Sequence, residues 1–197
     1  MEMIEYILRM QAIAKIGKTF SQDPYALENY DEIEKVSKQM LEDYQNINLD
    51  RDNYYVKDIY PTPNVSVRVI VEKEGKYLLV REIKEQKYSI PGGWCEVFKN
   101  LSINGIEEVL QESGYNVEVQ DLLAIFNRSK VHATSVSEYA IYISAKIIDK
   151  VDNILIETDD VDFFKREQLP ALSFKNDIKE LDIVFDVYEG KRKPYFD

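Results

Sequence analysis

Residues 91–115 decide the reading of this chain. They run Pro91-Gly92-Gly93-Trp94-Cys95-Glu96 and, after a short polar interval, Asn100-Leu101-Ser102-Ile103-Asn104-Gly105-Ile106-Glu107-Glu108-Val109-Leu110-Gln111-Glu112-Ser113-Gly114-Tyr115. The local physics is a glycine loop feeding a helix. Asn100 is a competent N-cap, and Gly114 stands where a left-handed residue ends the helix. Glu108 and Glu112, four apart, stack on one helical face with Gln111 beside them. Two such carboxylates repel, and a divalent cation reverses the sign of that interaction; oxygen ligands of this kind suit Mg²⁺ or Mn²⁺. Gly105 inside the helix costs up to ~1 kcal/mol against Ala. Close packing of the helix on a sheet, where no side chain fits, is the expected compensation.

Upstream, Val65, Val67, Val69 and Val71 alternate with Ser66, Arg68, Ile70 and Glu72. Lys73-Glu74-Gly75-Lys76 then turns into Tyr77-Leu78-Leu79-Val80, which reads as a β-hairpin. Downstream, 117–127 and 138–148 are strand-like, and a last helix is expected from about Asn176 to Tyr188. Before the hairpin, two helices are expected. The first, roughly Glu2 to Lys18, is apolar almost all round and should be buried on more than one side, with Gly17 at its end. The second starts at Asp23 as N-cap with Pro24 in the first helical position. Tyr60-Pro61-Thr62-Pro63 marks a break, and the domains are placed at 1–58 and 59–197. Strands interleaved with helices make the fold class α/β or α+β.

The chain has 197 residues, 25 Lys+Arg against 36 Asp+Glu, and a formal net charge of −11. An acidic balance of this size argues against a nucleic-acid partner, and an anionic substrate then needs a bound cation to hold it. Cys95 is the single cysteine and His132 the single histidine, so a zinc site of the usual ligands is not available. A lone cysteine without a histidine partner is read as a semi-buried thiol in a reducing, cytoplasmic compartment. Charges at Glu2, Glu5 and Arg9 argue against a secretory leader, and no apolar run is long enough to span a membrane.

The joint spacing resembles the signature of the Nudix hydrolases, G-x5-E-x7-R-E-U-x-E-E-x-G-U with U apolar. Setting the last glycine on Gly114 puts the first on Gly93, and Glu108, Val109, Glu112 and Tyr115 fall in register. Lys99 stands where the first Glu belongs, Glu107 where the Arg belongs, and Gln111 where one of the paired Glu residues belongs. The flanks Arg9–Ile33, Tyr60–Arg68, Leu79–Cys95, Leu122–Phe126 and Ile156–Ser173 are similar to the branch with an N-terminal helical segment. That branch includes ADP-ribose and CDP-choline pyrophosphatases.

The resemblance implies an α/β/α sandwich with a mixed sheet, preceded by a helical hairpin. It implies metal-dependent hydrolysis of the pyrophosphate bond of a nucleoside diphosphate linked to X, with water as nucleophile. Glu108 and Glu112 become the metal ligands for Mg²⁺ or Mn²⁺, joined by the Gln111 carbonyl and the Gly92 backbone carbonyl. Either carboxylate, or Glu157 from a loop, takes the proton of the attacking water. Arg68, Arg81 and Gly93 are placed at the substrate phosphates, and Trp94 is a weaker candidate for base stacking. The alternative is a weakened Nudix domain that binds a nucleotide or regulates, and the Glu107/Gln111 departures separate the two. Surplus apolar surface on the first helix, together with the resemblance, makes a homodimer through residues 1–45 the expected assembly.

Overall fold

The computed structural model describes residues 3–55, 63–128, 138–151 and 157–197. Contacts divide the chain into two compact units, Met1–Pro61 and Thr62–Asp197. The expected boundary between residues 58 and 59 lies outside the described residues, as does His132.

The first unit is a pair of packed helices, α1 (Met3–Phe20) and α2 (Pro24–Gln45). Asp23 caps α2 as expected, its side chain accepting the Tyr25 N–H at 3.2 Å. Gly17 does not end the first helix. The helix runs on to Phe20, and a Cβ at Gly17 would overlap the ring of Tyr30, so the glycine serves close helix packing instead. The buried seam is partly polar. Gln11 is fully buried, and its Nε2 donates to the Glu34 carbonyl at 2.8 Å and to Ser37 Oγ at 2.6 Å. Its Oε1 accepts the Tyr54 N–H at 2.9 Å. Every polar group of that amide thus has a partner, which is the condition for burying it. Ile7, Ala14 and Leu41 complete the seam, while Met3, Tyr6, Ile13 and Ile16 of α1 stay exposed. Within this unit, among the described residues, α2 therefore buries the apolar circumference of α1 on one side.

The second unit is built on a seven-stranded mixed sheet. Its strands are β1 (Asn64–Lys73), β2 (Lys76–Glu82), β3 (Lys87–Ser89), β4 (Tyr115–Asn127), β5 (Glu138–Lys150), β6 (Thr158–Phe164) and β7 (Tyr195–Phe196). The order is β3-β2-β1-β5-β4-β7, with β6 added antiparallel to β2. β1 runs parallel to β5, and β4 antiparallel to it. The β1–β2 hairpin closes through Glu74 and Gly75, at φ +54° and +74°, the double left-handed turn that matches strand twist.

Two helices cover the sheet, α3 (Leu101–Ser113) and α4 (Ile178–Tyr188). Val67, Val69 and Val71 of β1 pack with Val109 of α3 and Ile143 of β5 on one face. Ile70, between them in sequence, points to the other face and joins Leu79, Tyr142, Leu181, Val184 and Phe185 under α4. This alternation makes β1 the centre of an α/β/α sandwich. Gly105 lets α3 settle on the sheet as its position predicts. A Cβ there would lie 2.8 Å from Ile143 Cδ1 and 3.1 Å from Val69 Cγ2.

One charged pair is buried beneath α4. Arg128, 2% exposed, follows β4 and donates through Nε to Glu180 Oε2 at 2.9 Å and through Nη2 to the Tyr142 hydroxyl at 3.0 Å. Its Nη1 donates to the Lys175 carbonyl at 2.8 Å. Glu180 is the partner that justifies an uncharged-looking core holding a guanidinium. Removing one member leaves the other charge buried and alone, so Arg128→Met is expected to lower unfolding free energy by about 3–5 kcal/mol. Urea denaturation checks this, and a loss below ~1 kcal/mol would show that the site is wetter than its burial indicates.

Candidate active site

α3 starts and ends where its sequence predicts. Asn100 accepts the Ile103 N–H at 2.8 Å, and Gly114 takes φ +74° with its N–H on the Leu110 carbonyl. Between these caps the helix aims Glu108 and Glu112 at the glycine loop. The Gly92 N–H donates to Glu112 Oε2 at 2.9 Å. Gly92 has φ +147°, and a Cβ there would collide with the Val67 carbonyl, so only glycine allows the loop to lie against β1. A Cβ on Gly93 would overlap the Glu108 carboxylate. The loop is stitched to β1 by Val67 N–H to the Gly93 carbonyl and Val69 N–H to the Pro91 carbonyl, each 2.9 Å.

Arg68 of β1 is buried and donates through Nη1 to the Gly92 carbonyl, while its Nε is buried without a hydrogen-bond partner. The Gly92 carbonyl therefore already accepts one hydrogen bond. Arg81 is held by Asp159, Nε to Oδ1 at 2.8 Å. The cations that act on both helix carboxylates are Arg68 and Lys175. Gln111 is exposed. Glu107 is engaged by Lys99, Nζ to Oε2 at 2.5 Å, and the same ammonium reaches Glu96 at 3.0 Å. The two positions where the signature has Glu and Arg thus carry opposite charges in reversed order, and they are joined by an ion pair.

Glu157 is exposed at the start of β6; its carbonyl accepts the Ile83 N–H at 3.0 Å, and its charge acts on Glu108. Its neighbour Thr158 donates its hydroxyl to the Glu112 carbonyl at 2.7 Å, so β6 is tied to α3. Trp94 is half-exposed. Cys95 is half-buried, and burial pushes its thiol up to about 11, which leaves it unreactive at neutral pH.

Sequence reasoning passed over Lys175, Glu82 and the Arg128–Glu180 pair. Lys175 lies more than sixty residues from the glutamates in sequence, in a loop with no motif of its own. The one signal was a strand glutamate: Glu82 follows Arg81 at the end of the apolar run Tyr77-Leu78-Leu79-Val80, and its carboxylate needs a partner.

Burial is the main force on the acid pair. It pushes the Glu112 carboxyl up to about 8; the Gly92 N–H opposes the shift and the nearby Glu108 charge adds to it. Glu108 is raised as well, chiefly by burial, with Arg68 pulling the other way and Glu157 adding to the rise. A buried and a half-buried carboxylate with insufficient positive charge fit a small hard cation, which replaces the proton and restores the balance. Among the described residues no group of three or more His, Cys, Asp or Glu is arranged around one metal position. Two carboxylates are enough for Mg²⁺, which keeps several waters and shares substrate phosphates.

The comparisons with known proteins agree with this geometry. Residues 1–51 match the family model Nudix_N, described as UDP-X-like, N-terminal oligomerisation domain. The chain is 36% identical over 201 residues to "Putative ADP-ribose pyrophosphatase YjhB" of Bacillus subtilis (strain 168), spanning 98% of this chain and 96% of that protein. A crystal structure of UDP-X diphosphatase is similar over 98% of this chain and 97% of its own, at 30% identity and TM-score 0.68. An ADP-ribose pyrophosphatase from Streptococcus suis 89-1591 is similar over 69% of this chain and 100% of its own, at 28% identity and TM-score 0.60. A loop–helix–sheet site of this kind, in a relative matched over nearly the whole chain, defines a hydrolase of the Nudix class. The chain belongs to the Nudix hydrolases, in the branch that carries an N-terminal helical segment.

The raised Glu112 carboxyl has a consequence for stability. An ordinary glutamate titrates near 4.5, whereas the folded chain holds this proton up to about 8. Between those values the native state binds a proton that the unfolded state has lost. Stability of the chelator-treated protein should therefore fall as pH rises from about 4.5 to about 8. Glu112→Gln should flatten that slope and be the more stable chain near the upper end. Denaturation midpoints across the range check it; an identical slope in both proteins would show that Glu112 ionises normally.

Proposed function

We propose that this chain hydrolyses the pyrophosphate bond of a nucleoside diphosphate linked to a second group, with water as the nucleophile. The observation that carries the reading is the pair of buried Glu112 and half-buried Glu108, closed by the Gly92 amide and faced by Arg68. Glu108 and Glu112 are the residues that hold a divalent cation, Mg²⁺ or Mn²⁺, which when bound neutralises charge on the diphosphate oxygens. Gln111 and the Gly92 carbonyl offer further neutral oxygens on the same loop and helix. Gly93, lacking a side chain, lets the Glu108 carboxylate lie directly against the loop that receives the phosphate. Arg68 has an unused buried Nε donor beside the loop, suited to a phosphate oxygen. Arg81, held by Asp159, serves the outer part of the substrate. Glu157, exposed and close enough to act on Glu108, is the group placed to take the proton of the attacking water.

ADP-ribose is favoured as substrate class by the two relatives named for that activity, and a UDP-linked compound by the full-length structural neighbour. A CDP-choline-like compound belongs to the same chemical class. Glu112→Gln removes an anionic ligand and is expected to cut turnover by at least ~10²-fold while leaving the fold intact. Product analysis on a panel of nucleoside diphosphate derivatives with each metal tests this. Unchanged turnover and metal dependence would remove Glu112 from the site.

The assembly we propose is a homodimer through the N-terminal helices. Met3, Tyr6, Ile13 and Ile16 form an exposed apolar set on α1, and the matching family model is described as an oligomerisation domain. A stable interface needs roughly 1,200 Å² or more of buried surface, which so wide an apolar face can supply. Replacing Ile13 and Ile16 together by Glu should yield monomers at tens of micromolar, read by light scattering. A double variant that keeps the wild-type mass would place the interface elsewhere, and a monomeric wild type would exclude it.

A further inference from the structure

Lys175 is immobilised at both ends. A lysine in a surface loop ordinarily keeps about 2 kcal/mol of rotamer freedom. Here the Nζ donates to Glu82 Oε1 at 2.7 Å, and Glu82 is itself buried at the end of β2, where Ser89 Oγ donates to the same oxygen at 2.7 Å. The Lys175 backbone is fixed just as firmly. Its carbonyl accepts from the buried Arg128, and its N–H donates to Ser173 Oγ at 3.2 Å. Next to it, Asn176 Oδ1 accepts the Ile90 N–H at 3.2 Å, two residues before the Gly92 loop.

These bonds lead to the acid pair by two routes. Glu82 faces Thr158 across the β2–β6 ladder, and Thr158 bonds the Glu112 carbonyl. Ile90 leads to Gly92, whose amide bonds the Glu112 carboxylate. The Lys175 side chain is only three-quarters covered, and its ammonium has two N–H bonds beyond the one given to Glu82. The neighbouring Asn176 Nδ2 is a buried donor with no partner.

We infer that Lys175 binds the diphosphate of the substrate: Glu82 and Arg128 hold it in place, so that its ammonium meets the phosphate oxygens and adds a second cation to Arg68. The inference rests on the proposed diphosphate site. It adds to that site a cation from outside the loop–helix motif, with Glu82 as its positioning residue. Pre-ordering the ammonium removes the entropy that binding would otherwise lose.

The test is calorimetric titration of the full chain with ADP and with UDP in the presence of Mg²⁺, with hydrolysis measured separately. Lys175→Met should weaken the nucleoside diphosphates by about tenfold or more, the size of a lost charge-assisted hydrogen bond, and make the dissociation constant less sensitive to salt. Lys175→Met also strands the buried Glu82 carboxylate and is expected to melt earlier. The double variant Glu82→Gln with Lys175→Met should regain the melting temperature but not the affinity. Unchanged affinity in Lys175→Met overturns the inference, as does affinity regained in the double variant, because Lys175 would then only neutralise Glu82. A wild type that binds neither nucleotide overturns it too. Should the wild type bind ADP or UDP and lose that binding in Lys175→Met, yet turn over no compound tested, Lys175 stands and the hydrolytic reading falls.

Discussion

A carboxylate taken out of water must be matched by charge or it takes up a proton, and Glu112 is held under that constraint. One amide N–H, from Gly92, is its direct partner. A single neutral donor does not offset the burial of a full charge. The surrounding chain follows from this. Gly92 adopts a backbone that only glycine tolerates so that its N–H points inward. Gly93 carries no Cβ because the Glu108 carboxylate occupies that space. Gly105 brings α3 down onto Val67, Val69 and Ile143, which sets the depth of both acids. The sheet core and the acid pair are therefore one packing problem, and the charge left unmatched is what makes the pair fit for a cation.

Charge at the outer end of α3 is handled differently. Lys99 and Glu107 carry the signs opposite to those of the signature at the same two positions. Either residue alone is a departure, but the two together restore an ion pair between the loop and the helix. Lys99 also reaches Glu96, so the segment from Cys95 to Asn100 is held to α3 through one ammonium. Asn104 adds to this by accepting the Glu96 N–H at 2.7 Å. Glu107 is consequently committed to Lys99 and does not make up for the charge missing at Gln111, which lies on the exposed side of the helix. The anionic part of the candidate site reduces to Glu108 and Glu112, with Glu157 and Glu96 acting on Glu108 from a distance.

Much of this was legible in the sequence, and for identifiable reasons. Caps and turns depend on neighbours within a few residues, so Asn100, Gly114, Asp23 and the Glu74-Gly75 turn all read correctly. The i, i+4 spacing put Glu108 and Glu112 on one face, and the alternating valines of β1 set the two sides of the sheet. Gly17 was misread because its reason is not local. The ring of Tyr30, thirteen positions away, requires a residue without a side chain, and a glycine near a helix end looks the same from the sequence. The strand β6 was read as a loop around Glu157, since Thr158-Asp159-Asp160 lacks apolar alternation. Those aspartates are tolerated because Asp159 pairs with Arg81 and Asp160 with Tyr88 across the sheet. Lys175, Arg128 and Glu180 were invisible for the same reason: each makes sense only through a partner at least forty-five residues distant.

The Arg128–Glu180 pair shows what such distant contacts contribute. A buried ion pair seldom adds net stability over apolar residues of the same size, because both charges lose their water. Its effect lies in geometry. Arg128 spends one arm on Glu180 in α4, one on Tyr142 in β5 and one on the backbone of Lys175. An apolar core at this point could fill the volume but could not fix the height of residue 175 against β2. With the guanidinium in place, the loop before α4 has one position, Lys175 has one reach, and Glu82 can be buried beneath it with its charge matched. The polar contacts under α4 thus fix residue 175 against β2, just as the Gly92 amide fixes Glu112 of α3 against the loop.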